Sequence, residues 1–305
     1  MIAKTFLSLF LTFYFFNCLA QTDTVSINSH LKNITKTPAY RNHQNIVQLN
    51  IIADYIKSNF LKYSDSVSFQ EYDVDGKIYK NVICSFGTEN KSRIIVGAHY
   101  DVCGDQEGAD DNASGVVALL ELAQQLSKQK LNKRIDLVAY TLEEPPYFRT
   151  EYMGSYIHAK YLSDHKIEVF GMLSIEMIGF FSDEKKSQNY PLGILSWFYG
   201  NKGDYITLVN KFGKGKFARQ FSKRFKQSKT IKTKKFTAPK ALPGIDFSDH
   251  LNYWNFGYSA MMITDTSFYR NKNYHQKTDT IATLDIHRMA KVIDGIFLAL
   301  LKLNQ

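Results

Sequence analysis

The sequence predicts an α/β fold: a three-layer α/β/α sandwich around a mixed sheet whose inner strands are parallel. Two observations carry this. From residue 113 onward, helical and extended patterns alternate, as connections between parallel strands require. The segment Val67 to His99 instead holds three extended runs broken by Asp73-Val74-Asp75-Gly76 and Gly87-Thr88-Glu89-Asn90, the mark of an antiparallel meander at the sheet's start.

Taken in order, the elements begin with a polar stretch and a helix from Gln44 to Leu61. The meander follows, with Asn81 to Phe86 and Arg93 to His99 expected as a hairpin that sets Cys84 near Ile95. Next come a helix from Ala113 to Lys128, a strand from Ile135 to Thr141, a helix from Gly154 to Leu162 and a strand from Val169 to Ile175. Residues 182–242 are less regular, with turns around Pro191, Gly200 to Gly203 and Pro239 and a helix near Tyr205 to Phe225; they read as an elaboration on the domain. A helix from Ser248 to Phe256, the strand Ala260 to Thr264, a loop to Asp279 and a helix from Asp285 to Leu303 close the chain.

A chain of 305 residues that is 44% hydrophobic and 22% charged can bury one sizeable core, so residues 21–305 are expected as a single domain. Residues 1–20 read as a signal peptide: Lys4, an apolar run from Thr5 to Phe16, then Cys18-Leu19-Ala20 before Gln21. Cleavage near Ala20 implies an exported protein, periplasmic or secreted. The run is too short to span a bilayer, and the bulky residues before Cys18 argue against a lipid anchor there. Removing Lys4 lowers the net charge from +9 to +8. The densest basic stretch, Lys211 to Lys235, carries Phe212, Phe217, Phe221 and Phe225 at helical spacing and reads as a helix with a buried stripe and a solvated face, with no nucleic-acid role. Only Cys84 and Cys103 follow the leader, so free thiols are expected, Cys103 serving as a packing residue or a further metal ligand.

Six metal-type residues in five motifs stand at the mouths of these elements: His99 in AHYD, Asp110 in GADDNASG, Glu143 and Glu144 in TLEEPP, Glu176 in SIEMIG and His275 in NYHQKTD. Ligand sites in open α/β sheets form outside the carboxyl ends of the strands, where His99, Glu143, Glu144 and Glu176 fall. Each piece alone has a plainer explanation. Asp110-Asp111-Asn112 could be helix capping, and Glu143-Glu144 a solvated turn. Glu176 resists that treatment. It interrupts a strand apolar on both faces, where an unpaired carboxylate costs several kcal/mol, so a salt bridge or a metal must neutralise it. Two imidazoles with three carboxylates suit zinc better than calcium or magnesium.

From His99 to Asp279 the motifs, in order and spacing, resemble the di-zinc exopeptidases of metallopeptidase family 28, which includes leucyl-type aminopeptidases and, as relatives, the glutaminyl cyclases. The resemblance implies the zinc-exopeptidase fold. It also implies His99 and Glu176 on one zinc, Glu144 and His275 on the other, Asp110 bridging both, and Glu143 as general base. Asp101 resembles the carboxylate that orients the His99 imidazole, and a cis peptide bond is implied after Asp110. Tyr274 matches the place where some members put an oxyanion-stabilising Tyr, and is otherwise a packing aromatic. Asp249-His250 is similar to a polar pair near the family's cleft and stands outside the metal set. Many members carry Asp where this chain has Glu176, a side chain longer by one methylene. The implied activity is a zinc aminopeptidase acting on peptides with a free N-terminus. Two alternatives remain open: a glutaminyl cyclase needing one zinc, and a non-catalytic binding module on the same fold.

Overall fold

A computed structural model describes residues 22–213 and 215–305 of the chain; the expected signal peptide lies outside them. Eight strands form one mixed sheet: β1 (Val67–Val74), β2 (Lys77–Phe86), β3 (Arg93–His99), β4 (Arg134–Tyr140), β5 (Val169–Glu176), β6 (Ile206–Lys211), β7 (Thr233–Ala238) and β8 (Ala260–Thr264). Their order is β1-β2-β4-β3-β5-β8-β6-β7. Strands β4, β3, β5 and β8 run parallel, while β2 and β6 join them antiparallel on either side. The inner strands are buried on both faces, which their apolar runs anticipate; Ile94 to His99 are all buried.

Helices cover both faces. On one side lie α1 (Thr24–Thr35), α2 (Ile46–Phe60), α3 (Gly115–Leu126), α6 (Gly215–Ser228) and α8 (Ile286–Asn304), whose Ile27, Ile56, Val116, Phe221 and Ile296 share one core. On the other, α4 (Gly154–Asp164) and α7 (His250–Asn255) pack Leu162, Tyr253 and Trp254 against Ile95, Val138 and Met262. A short α5 (Leu195–Tyr199) is exposed. Side-chain caps start three of these helices: Asp23 accepts from Val25 N–H, Asn45 from Gln48 N–H and Asp285 from Arg288 N–H.

Three expectations change. Strands β2 and β3 do not pair; β4 lies between them, and Cys84 faces Val67 and Leu137 in register instead of Ile95. The stretch expected as a helix from Tyr205 is first a strand, β6, because the run Ile206-Thr207-Leu208-Val209 is β-branched and apolar and Gly213 at φ 69° ends it before α6. Residues 182–242 therefore supply two strands of the main sheet as well as α5 and α6. In α6 the stripe is Phe217, Phe221 and Phe225, all buried, whereas Phe212 precedes the helix and is exposed.

Strand β3 leads through α3 to β4 on one side, and β5 returns on its other side. That reversal is the switch point at which a sheet opens a crevice beyond its carboxyl ends. Among the described residues no helix is long and apolar enough to cross a membrane.

Candidate metal centre

Four side chains reach this crevice from strand ends: His99 from β3, Glu143 and Glu144 just past β4, and Glu176 from the last position of β5. The turn between Ala109 and Ser114 and the late loop holding His275 complete the ring. His99 Nε2 lies 3.4 Å from Asp111 Oδ1 and 3.5 Å from Glu176 Oε2. His275 Nε2 lies 3.1 Å from Glu144 Oε2 and 3.3 Å from Asp111 Oδ2. Donors bound tetrahedrally at 2.0–2.1 Å from zinc stand roughly 3.3 Å apart, so these spacings match those of ligands around two ions.

The carboxylate between the two sets is Asp111, which corrects the expected Asp110. Asp110 Oδ1 accepts from Gly179 N–H at 2.8 Å and Oδ2 from the Asn271 amide at 2.8 Å, beneath the turn and away from both imidazoles. Neighbouring side chains on this turn diverge because Asp111 (φ −101°, ψ 94°) and Asn112 (φ −126°, ψ 40°) leave helical geometry. The cis peptide is likewise one residue later than implied, between Asp111 and Asn112.

Local structure explains why GADDNASG takes this shape. Gly108 is left-handed (φ 56°), and a Cβ there would meet Asp111 O at 2.2 Å, so only glycine lets the turn close. A Cβ at Gly115 would meet Ile175 O at 2.8 Å, where α3 starts against β5. Asn112 stitches the turn to the end of β5, accepting from Met177 N–H and donating to Ile175 O. Asp279 accepts from the N–H groups of both Asp110 and Asp111. Three positions beside or within the site, Leu142, Met177 and His275, have φ near +50 to +60° without being glycine, a conformation that costs on the order of 1–3 kcal/mol each and collects at functional sites.

Asp101 does more than orient an imidazole. Its oxygens accept from Glu143 N–H at 3.2 Å and Glu144 N–H at 3.1 Å, and Oδ1 stands 3.6 Å from His99 Nδ1. Ser248 donates to Glu176 Oε2 at 2.8 Å, holding the longer side chain in the cluster. Tyr274 stacks on His275 with ring centroids 3.8 Å apart and touches Phe268 at 5.7 Å.

The electrostatics call for added positive charge. Burial opposes ionisation of His99, yet Glu176 and Glu143 outweigh it and raise its pKa well above the ordinary value. Burial pushes Glu144 up to about 8, with Asp111 adding to the rise, and also drives Glu143 upward. Asp249, expected outside the metal set, is fully buried, and burial lifts it to about 7. Glu144 Oε1 is a buried atom without a hydrogen-bond partner, and His275 Nε2 has carboxylate oxygens of Asp111 and Glu144 beside it. Orphaned donor atoms of this chemistry fit a divalent cation, and an apolar explanation does not account for them.

The model of peptidase family M28 matches residues 81–300. The chain belongs to peptidase family M28. Membership carries the coarse class, a peptidase-type hydrolase. This M28 chain is 41% identical over 274 residues to the uncharacterized protein YfbL of Escherichia coli K12, covering 87% of this chain and 84% of that one. It is 30% identical over 230 residues to a probable leucine aminopeptidase of Arthroderma otae, covering 70% of this chain and 55% of the relative; it thus spans about half the length of that relative. Among solved structures, LapB of Legionella pneumophila has a TM-score of 0.73 at 19% identity, covering 93% of this chain and 73% of that one. A glutaminyl cyclase of Porphyromonas gingivalis has a TM-score of 0.69 at 18% identity, covering 92% and 99%. These likenesses show a shared M28 fold.

Proposed function

We propose that the chain is an exported zinc aminopeptidase that hydrolyses the first peptide bond of substrates with a free N-terminus. The observation that carries this reading is Asp111, whose two oxygens face two separate sets of imidazole and carboxylate. His99, Asp111 and Glu176 would hold one ion, and Asp111, Glu144 and His275 the other. When bound, such ions supply Lewis acidity, lowering the pKa of a water and drawing charge from a carbonyl oxygen.

The remaining work falls to side chains. Glu143 Oε2 stands 3.9 Å from His99 Nε2, beside both sets and outside either. Burial raises its proton affinity, which suits a group that takes a proton from the attacking water and delivers it to the departing amine. The Tyr274 hydroxyl resists deprotonation because it is half-buried and near the carboxylates of Asp111 and Glu144, so it stays a donor for the developing oxyanion. Asp101 fixes the backbone of the Glu143-Glu144 pair. The surplus of buried carboxylates, Asp249 among them, favours a cationic N-terminus over a blocked one. An apolar cavity lined by Val209, Met262, Phe247, Phe268, Tyr269 and Tyr190 meets the site through the contact of Phe268 with Tyr274, which supports a preference for apolar N-terminal side chains. Export rests on the apolar leader with its small-residue end at Ala20.

The test is release of amino acids from unblocked and N-acetylated peptides, with and without a chelator, and with Glu143→Gln. Chelator-sensitive release from unblocked peptides only is expected, and the variant should lose about 10²–10⁴-fold in kcat while keeping its metal. Unchanged turnover in the variant would refute the assignment. A second reading, a glutaminyl cyclase, draws on the Asp111, Glu144 and His275 set being complete for one ion by itself, and on the fold shared with the Porphyromonas gingivalis cyclase. Ring closure of peptides that begin with Gln, without amino-acid release, would select it.

A further inference from the structure

Cys103 lies in the loop between β3 and the Asp111 turn, half-buried and free of any disulfide. Its Sγ, a Glu144 carboxylate oxygen and a His275 ring nitrogen all lie within 4.8 Å of one another. A cysteine that merely packs sits among apolar groups. This one faces the carboxylates of Glu144, Asp111 and Asp101. Independently, Glu144 is only 4% exposed and its Oε1 has no hydrogen-bond partner.

We propose that Cys103 is a thiolate ligand of the ion held by Asp111, Glu144 and His275, a proposal that rests on the two-ion reading. Sulfur at about 2.3 Å and nitrogen or oxygen at about 2.0–2.1 Å from a tetrahedral zinc stand roughly 3.5 Å apart, against a spacing within 4.8 Å here. On coordination the S–H bond breaks, its proton leaves to solvent, and a sulfur lone pair forms the bond to the ion; nothing is oxidised or reduced. The two ions are then unlike: Asp111, Glu144, His275 and Cys103 would fill a tetrahedral shell around one, which leaves the open position for water at the ion of His99, Asp111 and Glu176. Among the described residues the set of His99, Asp111 and Glu176 is not grouped with a cysteine, and Cys84 is buried in β2 opposite Leu137. A soft donor on one ion alone makes that ion the tighter one for zinc and the one lost when the thiol is oxidised or alkylated.

The test is cobalt(II) titration of the metal-stripped full chain with reduced thiols. A near-ultraviolet sulfur-to-cobalt charge-transfer band should appear in the unaltered protein and in Cys84→Ala, and be absent from Cys103→Ser. One of the two ions should bind at least about tenfold more weakly in Cys103→Ser, and bound metal should slow alkylation of Cys103 by iodoacetamide. Two ions bound without the band, or a band that persists in Cys103→Ser, overturns the sulfur ligand and leaves the two-ion reading standing. No cobalt bound at all overturns both.

Discussion

Exchanging Asp111 for Asn should empty the centre, and the same exchange at Asp110 should not. Asp111 presents Oδ1 at 3.4 Å from His99 Nε2 and Oδ2 at 3.3 Å from His275 Nε2. Burial pushes this carboxyl up, but His275 and His99 outweigh it and hold it ionised, as a ligand must be. An Asn keeps one oxygen and turns an NH2 toward the other set, so one ion loses a ligand and the other loses its anionic charge. Removing a partner that merely supports a ligand costs 10–100-fold in metal affinity, so loss of a direct one should reach about 100-fold or more. At 1.4 kcal/mol per tenfold that is at least about 2.8 kcal/mol per ion. Asp110 behaves oppositely. Burial and the neighbouring Asp265 push it well above the ordinary carboxylate value, so a neutral Asn is the milder exchange there. At most one hydrogen bond with Asn271 is impaired, on the order of 1 kcal/mol of stability. The assay is metal content by mass spectrometry after dialysis against buffered zinc, with Tm as a folding control. Loss of both ions from Asp110→Asn with retention in Asp111→Asn would refute the reasoning.

Ser248→Ala removes the hydroxyl that donates to Glu176 Oε2, and should weaken only the ion beside His99, by about tenfold in chelator competition. Arg41 is a buried guanidinium bonded to the carbonyls of Tyr100, Glu107 and Gly108, clamping the loop that carries the turn; Arg41→Met removes all three bonds, should cost about 3–5 kcal/mol, and should lower Tm on the order of 10 °C, a drop under 2 °C counting against this role. His158 and His250 are buried and held down to about 4 by burial, against an ordinary 6.5. The unfolded chain therefore binds more protons between those values, and the stability these groups give is complete above pH 6.5 and lost as pH falls toward 4. Metal-free protein should lose about 2 kcal/mol per histidine from pH 7 to 5 in urea unfolding, and His158→Phe should flatten that limb; an unchanged slope would count against it.

Much of the site was legible because strand ends announce themselves. His99, Glu143-Glu144 and Glu176 each close a run too apolar to carry an idle charge, and the structure gathers them at one crevice. The choice between Asp110 and Asp111 was not legible. Both precede the same helix, and their directions depend on backbone angles imposed by Asp279, Asn112 and the tight fit at Gly108. Helix α1 went unseen because Ser, Asn and Thr dominate it and only Ile27, Leu31 and Ile34 mark its buried face. Asp249 reads from the sequence only as one of a polar pair outside the metal set, since nothing local shows that it ends up buried beside Glu176 and His99.

Apolar periodicity and charge placement by themselves determined the α/β class, the closing strand and helix, and the metal-type chemistry of the strand ends, since these depend on each residue's own preference for water and on local repeat. Partner choice was decided only by tertiary structure. The short turn after β2 looks like a hairpin, yet β4 enters between β2 and β3 and residues 206–211 pair with β8, from about fifty residues further along the chain. Hydrogen-bonding edges are alike in sequence, and which two meet is settled by the burial that the whole sheet gains when they do.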